Sequence, residues 1–413
     1  MPYKIKISFL SLFMTAIFFS ACTKEDISSF FFEDKYLLDG DGIDWPNQLL
    51  DLGNEGLLVA GYTTSTDLNH EAHGEWDGLV IRLDAQLDTL WVAVLGGPGF
   101  DAFTDAIAVD GGFILCGYKS ISGHQKDLWV IKINEAGQIE WESLFGGTKG
   151  DQAFGIEEIL PGMYGVIGFS ASTDAPEWLN NGKFDGVALA IDQTGELLWS
   201  THIGGSSDDT FTSLVTDELG NMYIGGFTAS HDGAIPQNQG YNDLWYVRLS
   251  SGGDLLTSQT IGTEGDELGL TISKNGDFVL ISGAQSNLDL SLGTLQPTKW
   301  HMVLLTVGGD FIWNKTLVSS FPNDCAFASC VSSANSFYVS GRKTDDNGVF
   351  KQYTQEVDLA GNAQAISSML HEGEGTTLSV AQKNNYIVSA STYKSVAQTN
   401  SSVGILVLKT SKP

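Results

Sequence analysis

The stretch DLWVIKINEAGQIEWESLFGGTKGD (127–151) returns along the chain in altered copies. DGLVIRLDAQLDTLWVAVLGGPGFD (77–101), DGVALAIDQTGELLWSTHIGGSSDD (185–209) and DLWYVRLSSGGDLLTSQTIGTEGD (243–266) share its plan. Each has an Asp, an apolar strand, a turn, often a Trp, then a Gly-rich loop closing on another Asp. Degenerate copies begin at 299, 351 and 402, so seven units follow one another at spacings of 50 to 58 residues. Self-similarity at a fixed period of this size marks a repeat architecture rather than several independent domains.

Four strand signals fill each unit. Strand a follows the glycine loop, as in DQAFGIEEIL (151–160). Strand b is short and ends in glycine, as in GFILCGY (112–118) or MYIGGF (222–227). Strand c is the DLWVIKI type, and strand d carries Trp91, Trp141, Trp199 or Trp313. Four antiparallel strands repeated radially make a propeller blade, and blades covered on both faces read apolar on both sides. The chain starts with a d-like strand near 31–38 and ends with a c-like strand, GILVLK (404–409), that lacks its own d strand. The expectation is an all-β, single seven-bladed β-propeller of four-stranded antiparallel blades, closed by the N-terminal strand joining the last blade.

The segment GGSSDDTFTSLVTDELGNMYIGGFTAS (204–230) resembles the bacterial β-propeller repeats of secreted and surface proteins common in Bacteroidetes. The resemblance covers nearly the whole chain after residue 30. It implies the propeller fold and no particular activity, because propellers host many functions.

Composition narrows the function classes. Twenty-one basic against fifty acidic residues give a net charge of −29. A surface this acidic repels phosphate backbones, so nucleic acid is not an expected partner. No nucleophile elbow, phosphate loop or HExxH motif is present. Of the four cysteines, Cys116 sits in an apolar strand. Cys325 and Cys330 lie five apart in one strand, and the odd spacing places them on opposite faces, so no bridge within that strand is expected.

The N-terminus reads as a targeting segment. Lys4 and Lys6 precede an apolar run, Ile7 to Phe19, too short to span a bilayer comfortably. Phe19-Ser20-Ala21-Cys22 resembles a bacterial lipobox, with Cys22 as the lipidation site, and Thr23-Lys24-Glu25-Asp26 resembles the export signal of surface lipoproteins. The expected division is a signal peptide (1–21), a lipidated linker (22–30) and the propeller (31–413). The protein would be anchored in the outer membrane by lipid, facing the cell exterior, with the periplasmic face as the alternative.

Candidate binding residues fall on one rim. In an antiparallel blade the d–a and b–c loops share a face, and the longest loops (63–76, 170–184 and 228–242) lie there. They supply Asp67, Glu71, Glu75, Trp76, Asp174, Glu177, Trp178, Asp232 and Tyr241. Aromatic rings beside carboxylates suit a sugar ring or a peptide. Asp39, Asp41 and Asp44 alternate with glycines as calcium loops do, without the full spacing. His70 and His73 flank Glu71, a weaker metal pattern. No cofactor is expected apart from this calcium candidate. The recurring Asp residues (Asp101, Asp151, Asp209 and Asp266; Asp77, Asp127, Asp185 and Asp243) read as turn-bracing groups, since a catalytic Asp appears once. The leading expectation is a non-catalytic binding or scaffolding module for an extracellular glycan, peptide or protein. The alternatives are a polysaccharide-acting hydrolase or lyase with loop carboxylates as acid and base, and a structural subunit of an outer-membrane complex.

Replacing the anchoring thiol tests the N-terminal reading. Cys22→Ser is expected to abolish incorporation of a fatty-acid analogue in cells, and equal labelling of both forms would overturn it.

Overall fold

The computed structural model describes residues 32–68, 74–121, 125–174, 180, 182–286, 288–289, 294–295, 299–317, 324–344, 349–369, 374–383, 386–394 and 403–411. Seven four-stranded antiparallel sheets follow in chain order. Blades 1 to 6 occupy 44–95, 102–145, 151–203, 209–261, 266–317 and 325–369. In blade 3, for example, the strands run a (Asp151–Leu160), b (Met163–Ser170), c (Asp185–Asp192) and d (Leu197–Ile203). The innermost strands touch one another in a closed ring around a central axis. A two-stranded ribbon, Leu288–Asp289 with Thr294–Leu295, decorates the b–c connection of blade 5.

Blade 7 takes strands a to c from 374–411 and its outer strand from the other end of the chain. Phe32–Leu38 pairs antiparallel with Gly404–Ser411, Tyr36 facing Val407. The seam also repeats an internal contact. In blades 1 to 3 the residue before strand c makes a parallel bridge to the residue before the next strand a: Trp76 to Phe100, Lys126 to Gly150, Phe184 to Asp208. Val403 and Ile43 make that same bridge across the closure. The b–c and d–a loops therefore share a face, as the topology requires.

Blades stack through apolar clusters shared by neighbours, with Trp129, Trp245 and Trp300 of strand c fully buried. The strand-d tryptophans have a separate job. Trp91 Nε1 donates to Glu135 O (2.9 Å), Trp141 to Gln193 O (3.1 Å), Trp199 to Ser251 O (3.0 Å) and Trp313 to Leu359 O (2.9 Å). Each latches one blade onto the c–d turn of the next. An indole N–H that would otherwise lack a protein partner makes the stacking directional.

All seven inner strands carry a β-bulge at the same place, between Pro46/Gln48, Phe103/Asp105, Ala153/Gly155, Phe211/Ser213, Gly269/Thr271, Ala326/Ala328 and Thr377/Ser379. A bulge re-aims side chains and bends the strand. Here it presses a strand-a carbonyl against strand b. A Cβ on Gly168 would sit 1.9 Å from Gln152 O, and one on Gly226 would sit 2.0 Å from Thr210 O. This explains why strand b ends in glycine.

The bulge corrects the reading of the cysteine pair. Cys325 faces Arg342 and Cys330 faces Tyr338, four positions apart on strand b. The extra residue restores an even register, so both thiols belong to the same side of the strand rather than to opposite ones. At four register steps, roughly 13 Å, they are still too far apart to bridge. Cys116, Cys325 and Cys330 are free.

Closure by the N-terminal strand predicts a strong end effect. Deleting residues before 40 exposes an edge and one face of blade 7, and should lower the melting midpoint by about 5 °C or more. An unchanged midpoint would show that the two ends do not support each other.

Candidate functional site

The loop face is built on a carboxylate that begins each inner strand. Asp44, Asp101, Asp151, Asp209, Glu267 and Asp324 are all completely buried. Each of the first five accepts a backbone N–H from four residues upstream in the d–a loop: Gly40 (3.1 Å), Gly97 (2.5 Å), Gly147 (2.9 Å), Gly205 (2.7 Å) and Thr263 (3.0 Å). The same group reaches the end of strand b. Thr63 Oγ1 donates to Asp44 (2.6 Å), Ser120 N to Asp101 (2.8 Å), Gln285 Nε2 to Glu267 (2.9 Å) and Thr344 Oγ1 to Asp324 (2.8 Å). Ser170 and Thr228 do likewise for Asp151 and Asp209. In blade 5 the clamp is therefore Glu267 and not Asp266, which instead accepts from Asn242 Nδ2 (2.7 Å). Glu267 stands at the same four-residue offset as the aspartates of the other blades. In blade 7 Gly375 stands in this position.

Gly96, Gly146 and Gly204, each the first glycine of its d–a loop, are squeezed between a clamp acid and the Asp that opens strand c. A Cβ on Gly204 would lie 2.7 Å from both Asp185 and Asp209, and one on Gly96 would lie 2.8 Å from Asp77 and 2.7 Å from Asp101. Burial raises the pKa of Asp44 and Asp101 and pushes Asp243 up to about 6.

Three of the expected rim acids belong to this clamp as well. Asp67, Asp174 and Asp232 accept N–H groups of Asp41 (3.1 Å), Thr148 (3.1 Å) and Ser206 (2.7 Å), at one shared spacing of 26 residues. The segments TTSTD (63–67), SASTD (170–174) and TASHD (228–232) are thus one repeated clasp. The calcium candidates are occupied in the same way. Asp41 takes Thr66 N (2.6 Å) and Thr66 Oγ1 (2.7 Å), and Asp44 takes Gly40 N and Thr63 Oγ1. Among the described residues no group of three metal-ligating side chains comes together.

Trp76 is half-buried in an aromatic ladder. Its ring stacks on Tyr62 (4.5 Å), which stacks in turn on Trp45 (6.2 Å), and Phe100 meets Trp76 edge-on (5.2 Å). Lys126 Nζ closes the group, 3.9 Å from the Tyr118 ring centre and 5.8 Å from that of Trp76. Trp76 occupies the repeat position held elsewhere by Lys126, Phe184 and Asn242, so it is part of the blade pattern and not a free loop ring. Phe154, Phe169 and Phe184 form a second ladder in blade 3, two blades further on (5.7 and 4.9 Å), and Phe184 is 38% exposed. Glu75 and Tyr241 are exposed on the same face, Tyr241 to 54%. Cys22, His70, Glu71, His73, Glu177 and Trp178 lie outside the described residues.

The Phe154, Phe169 and Phe184 rings line a central channel of about 1130 Å³. Its first layer is the seven bulge residues, Asn47, Thr104, Phe154, Thr212, Leu270, Phe327 and Leu378. Three of them tie blades together: Asn47 Nδ2 donates to Phe103 O (2.7 Å), Thr104 Oγ1 to Ala153 O (3.0 Å) and Thr212 Oγ1 to Gly269 O (2.7 Å). The next position along continues the ring. Ser379 donates to Gln48 Oε1 (2.7 Å), Gln48 Nε2 donates to Asp105, and Asp105 accepts Ile156 N (2.9 Å). Two steps deeper the seven equivalent residues are Leu50, Ile107, Glu157, Val215, Ser273, Cys330 and Ala381. Only Glu157 is charged. Desolvation in the wall, with Asp105 beside it as a second negative group, pushes Glu157 up to about 8; burial pushes Asp105 to about 6. Sequence reading missed both, although each is the only acid at its repeat position.

No protein-family profile matches the chain, and no curated protein matches it by sequence. Solved structures do match in fold. The WD40 domain of Pan2 from Neurospora crassa superposes with a TM-score of 0.56 at 10% identity, covering 94% of this chain and 97% of that one. The polysaccharide lyase Uly1 superposes at 0.55 with 8% identity, covering 92% and 100%. At these identities the likeness is one of β-propeller fold.

The buried acids make stability depend on pH in a definite sense. Glu157 has a folded pKa above its ordinary value of 4.5, so the folded state holds a proton that the unfolded chain releases. Its contribution is present in acid and is lost as pH rises from about 4.5 through about 8; Asp105 acts in the same direction. Melting midpoints should fall over this window, and Glu157→Gln should flatten the fall and raise the midpoint at the alkaline end. An identical profile for the variant would contradict the placement of Glu157.

Proposed function

We propose that this protein is a lipid-anchored, outer-membrane surface lipoprotein, related to the bacterial surface propellers of Bacteroidetes, whose propeller binds an extracellular glycan. The 1–21 signal peptide and Cys22 would deliver and anchor it, and the 22–30 linker would hold the disc clear of the membrane. The observation that carries the binding reading is the Phe154–Phe169–Phe184 ladder lining a channel that also carries hydroxyls, amides and acids, with the Trp45–Tyr62–Trp76 ladder on the same loop face. Sugar rings offer apolar faces to aromatic rings and hydroxyls to polar side chains, so such a mouth recognises both. Asp67, Asp174 and Asp232 support the rim by bracing its loops.

A second reading is catalytic. An acid held protonated near neutral pH inside a cavity is what a general acid requires. Glu157 fits that description, and a polysaccharide lyase shares the fold. Turnover of an array-positive polysaccharide, lost in Glu157→Gln, would favour this reading over simple binding.

A glycan and peptide array probed with the mature chain tests the proposal. Glycan hits are expected. Phe184→Ala should weaken them roughly tenfold, as truncating an aromatic anchor costs about 1–2 kcal/mol or more. Because Trp76 is packed, Trp76→Ala should lower both affinity and melting midpoint. Hits confined to peptides, or glycan hits indifferent to Phe184, would overturn the assignment.

A further inference from the structure

Glu157 is set apart by what it does not do. The recurring acids of this fold each brace a loop, and Asp105 bridges blades 1, 2 and 3 through Gln48 Nε2, Ala106 N and Ile156 N. Among the described residues Glu157 makes no hydrogen bond or ion pair, and it stands in the channel wall, partly open to the cavity it lines. The six equivalent positions in the other blades are neutral, so the blade itself needs no carboxyl there.

A carboxyl largely withdrawn from bulk water and without a protein partner costs stability unless something else satisfies it. The groups that share the channel identify what that is. Asp105 is the nearest charge and is negative. Asp208 at the mouth is also acidic and lies 3.7 Å from Lys183 Nζ. Lys274, the cation lining the cavity among the described residues, points its Nζ over the Tyr223 ring (5.8 Å). The remaining titratable lining group, the Cys330 thiol, belongs to blade 6, across the axis. Two neighbouring carboxyl groups thus face the same cavity without a cation between them, and the Phe154 ring stands on the same strand as Glu157.

We propose that the channel holds a subsite for an organic cation, an ammonium group, seated on Glu157 and Asp105 beside Phe154. The inference deepens the glycan reading, in which an amino sugar would bring that ammonium; a lysine side chain is the other source of the same chemistry. An ammonium donates up to three hydrogen bonds to the two carboxyls, and an aromatic face adds attraction. Its charge offsets the desolvation and the neighbouring Asp105 charge that together keep Glu157 protonated. Binding near pH 7 must therefore expel a proton from Glu157 to bulk solvent, leaving two carboxylates around one cation.

Calorimetry on the mature chain in detergent tests this, with D-glucosamine, N-acetylglucosamine, lysine amide and calcium chloride as probes. Each titration is run in two buffers of different ionisation enthalpy. Glucosamine or lysine amide should bind with proton release, and whichever binds names the source. N-acetylglucosamine, which lacks the charge, should bind at least tenfold more weakly, and Glu157→Gln should lose at least tenfold for the cation. The variant's melting curve checks its fold, and Glu157→Asp should restore part of the affinity. The proposal is overturned if neither amine binds, if the acetylated sugar binds equally well, if Glu157→Gln leaves amine affinity unchanged, or if calcium displaces the amine from Glu157. Array binding that survives Glu157→Gln but fails in Phe184→Ala would sink the subsite while leaving the rim reading in place.

Discussion

A buried carboxylate at the head of the inner strand is the contact on which the rest of this disc depends. It accepts a loop N–H from one side and a strand-b donor from the other, so one group joins the d–a loop to the end of strand b. Burying an ionisable group is costly unless its oxygens are satisfied. Here nearly every bond comes from backbone or hydroxyl groups at fixed offsets, which is why the residues before and after it recur so faithfully. The glycine that precedes it has no room for a side chain, and the serines, threonines and rim acids that follow strand b complete the clasp. The loop face is consequently rigid in its repeating parts, and the channel opens through it.

The blade count, the strand order and the closure by Phe32–Leu38 were legible because they rest on periodicity and on counting strands. The inner-strand bulge was not. A single inserted residue leaves no trace in a hydrophobic pattern, yet it inverts the face of everything beyond it, as Cys325 and Cys330 show. The exchange of Asp266 for Glu267 was hidden by similar chemistry one residue away, since only the offset to Thr263 separates them. Trp76 looked like a loop residue because its counterparts in other blades are Lys126, Phe184 and Asn242. A backbone bridge shared by Trp76, Lys126 and Phe184, rather than any shared side chain, defines the position.

Repetition also separates structure from function in this molecule. A residue that returns in most blades answers a need that most blades have, and the clamp acids, the clasp motif and the strand-d tryptophans all fall in that class. A residue that departs from the pattern answers to something else. Asp105 and Glu157 depart from it on adjacent blades, in the one place where all seven blades meet, and the exposed rings of the mouth are concentrated on the same side of the axis. Function is thereby drawn toward one sector of a disc whose scaffold is close to symmetric.

Native-state amide hydrogen exchange addresses the clamp most directly. The N–H groups of Gly97, Gly147 and Gly205 sit in loops outside any strand, each held by a buried carboxylate. They should exchange on the scale of the inner strands, through global opening, while a turn amide such as that of Gly111 exchanges far faster. Exchange of the three glycines at the rate of Gly111 would mean that the carboxylates do not hold the loop face, and the account of this fold would have to be rebuilt from the strand contacts alone.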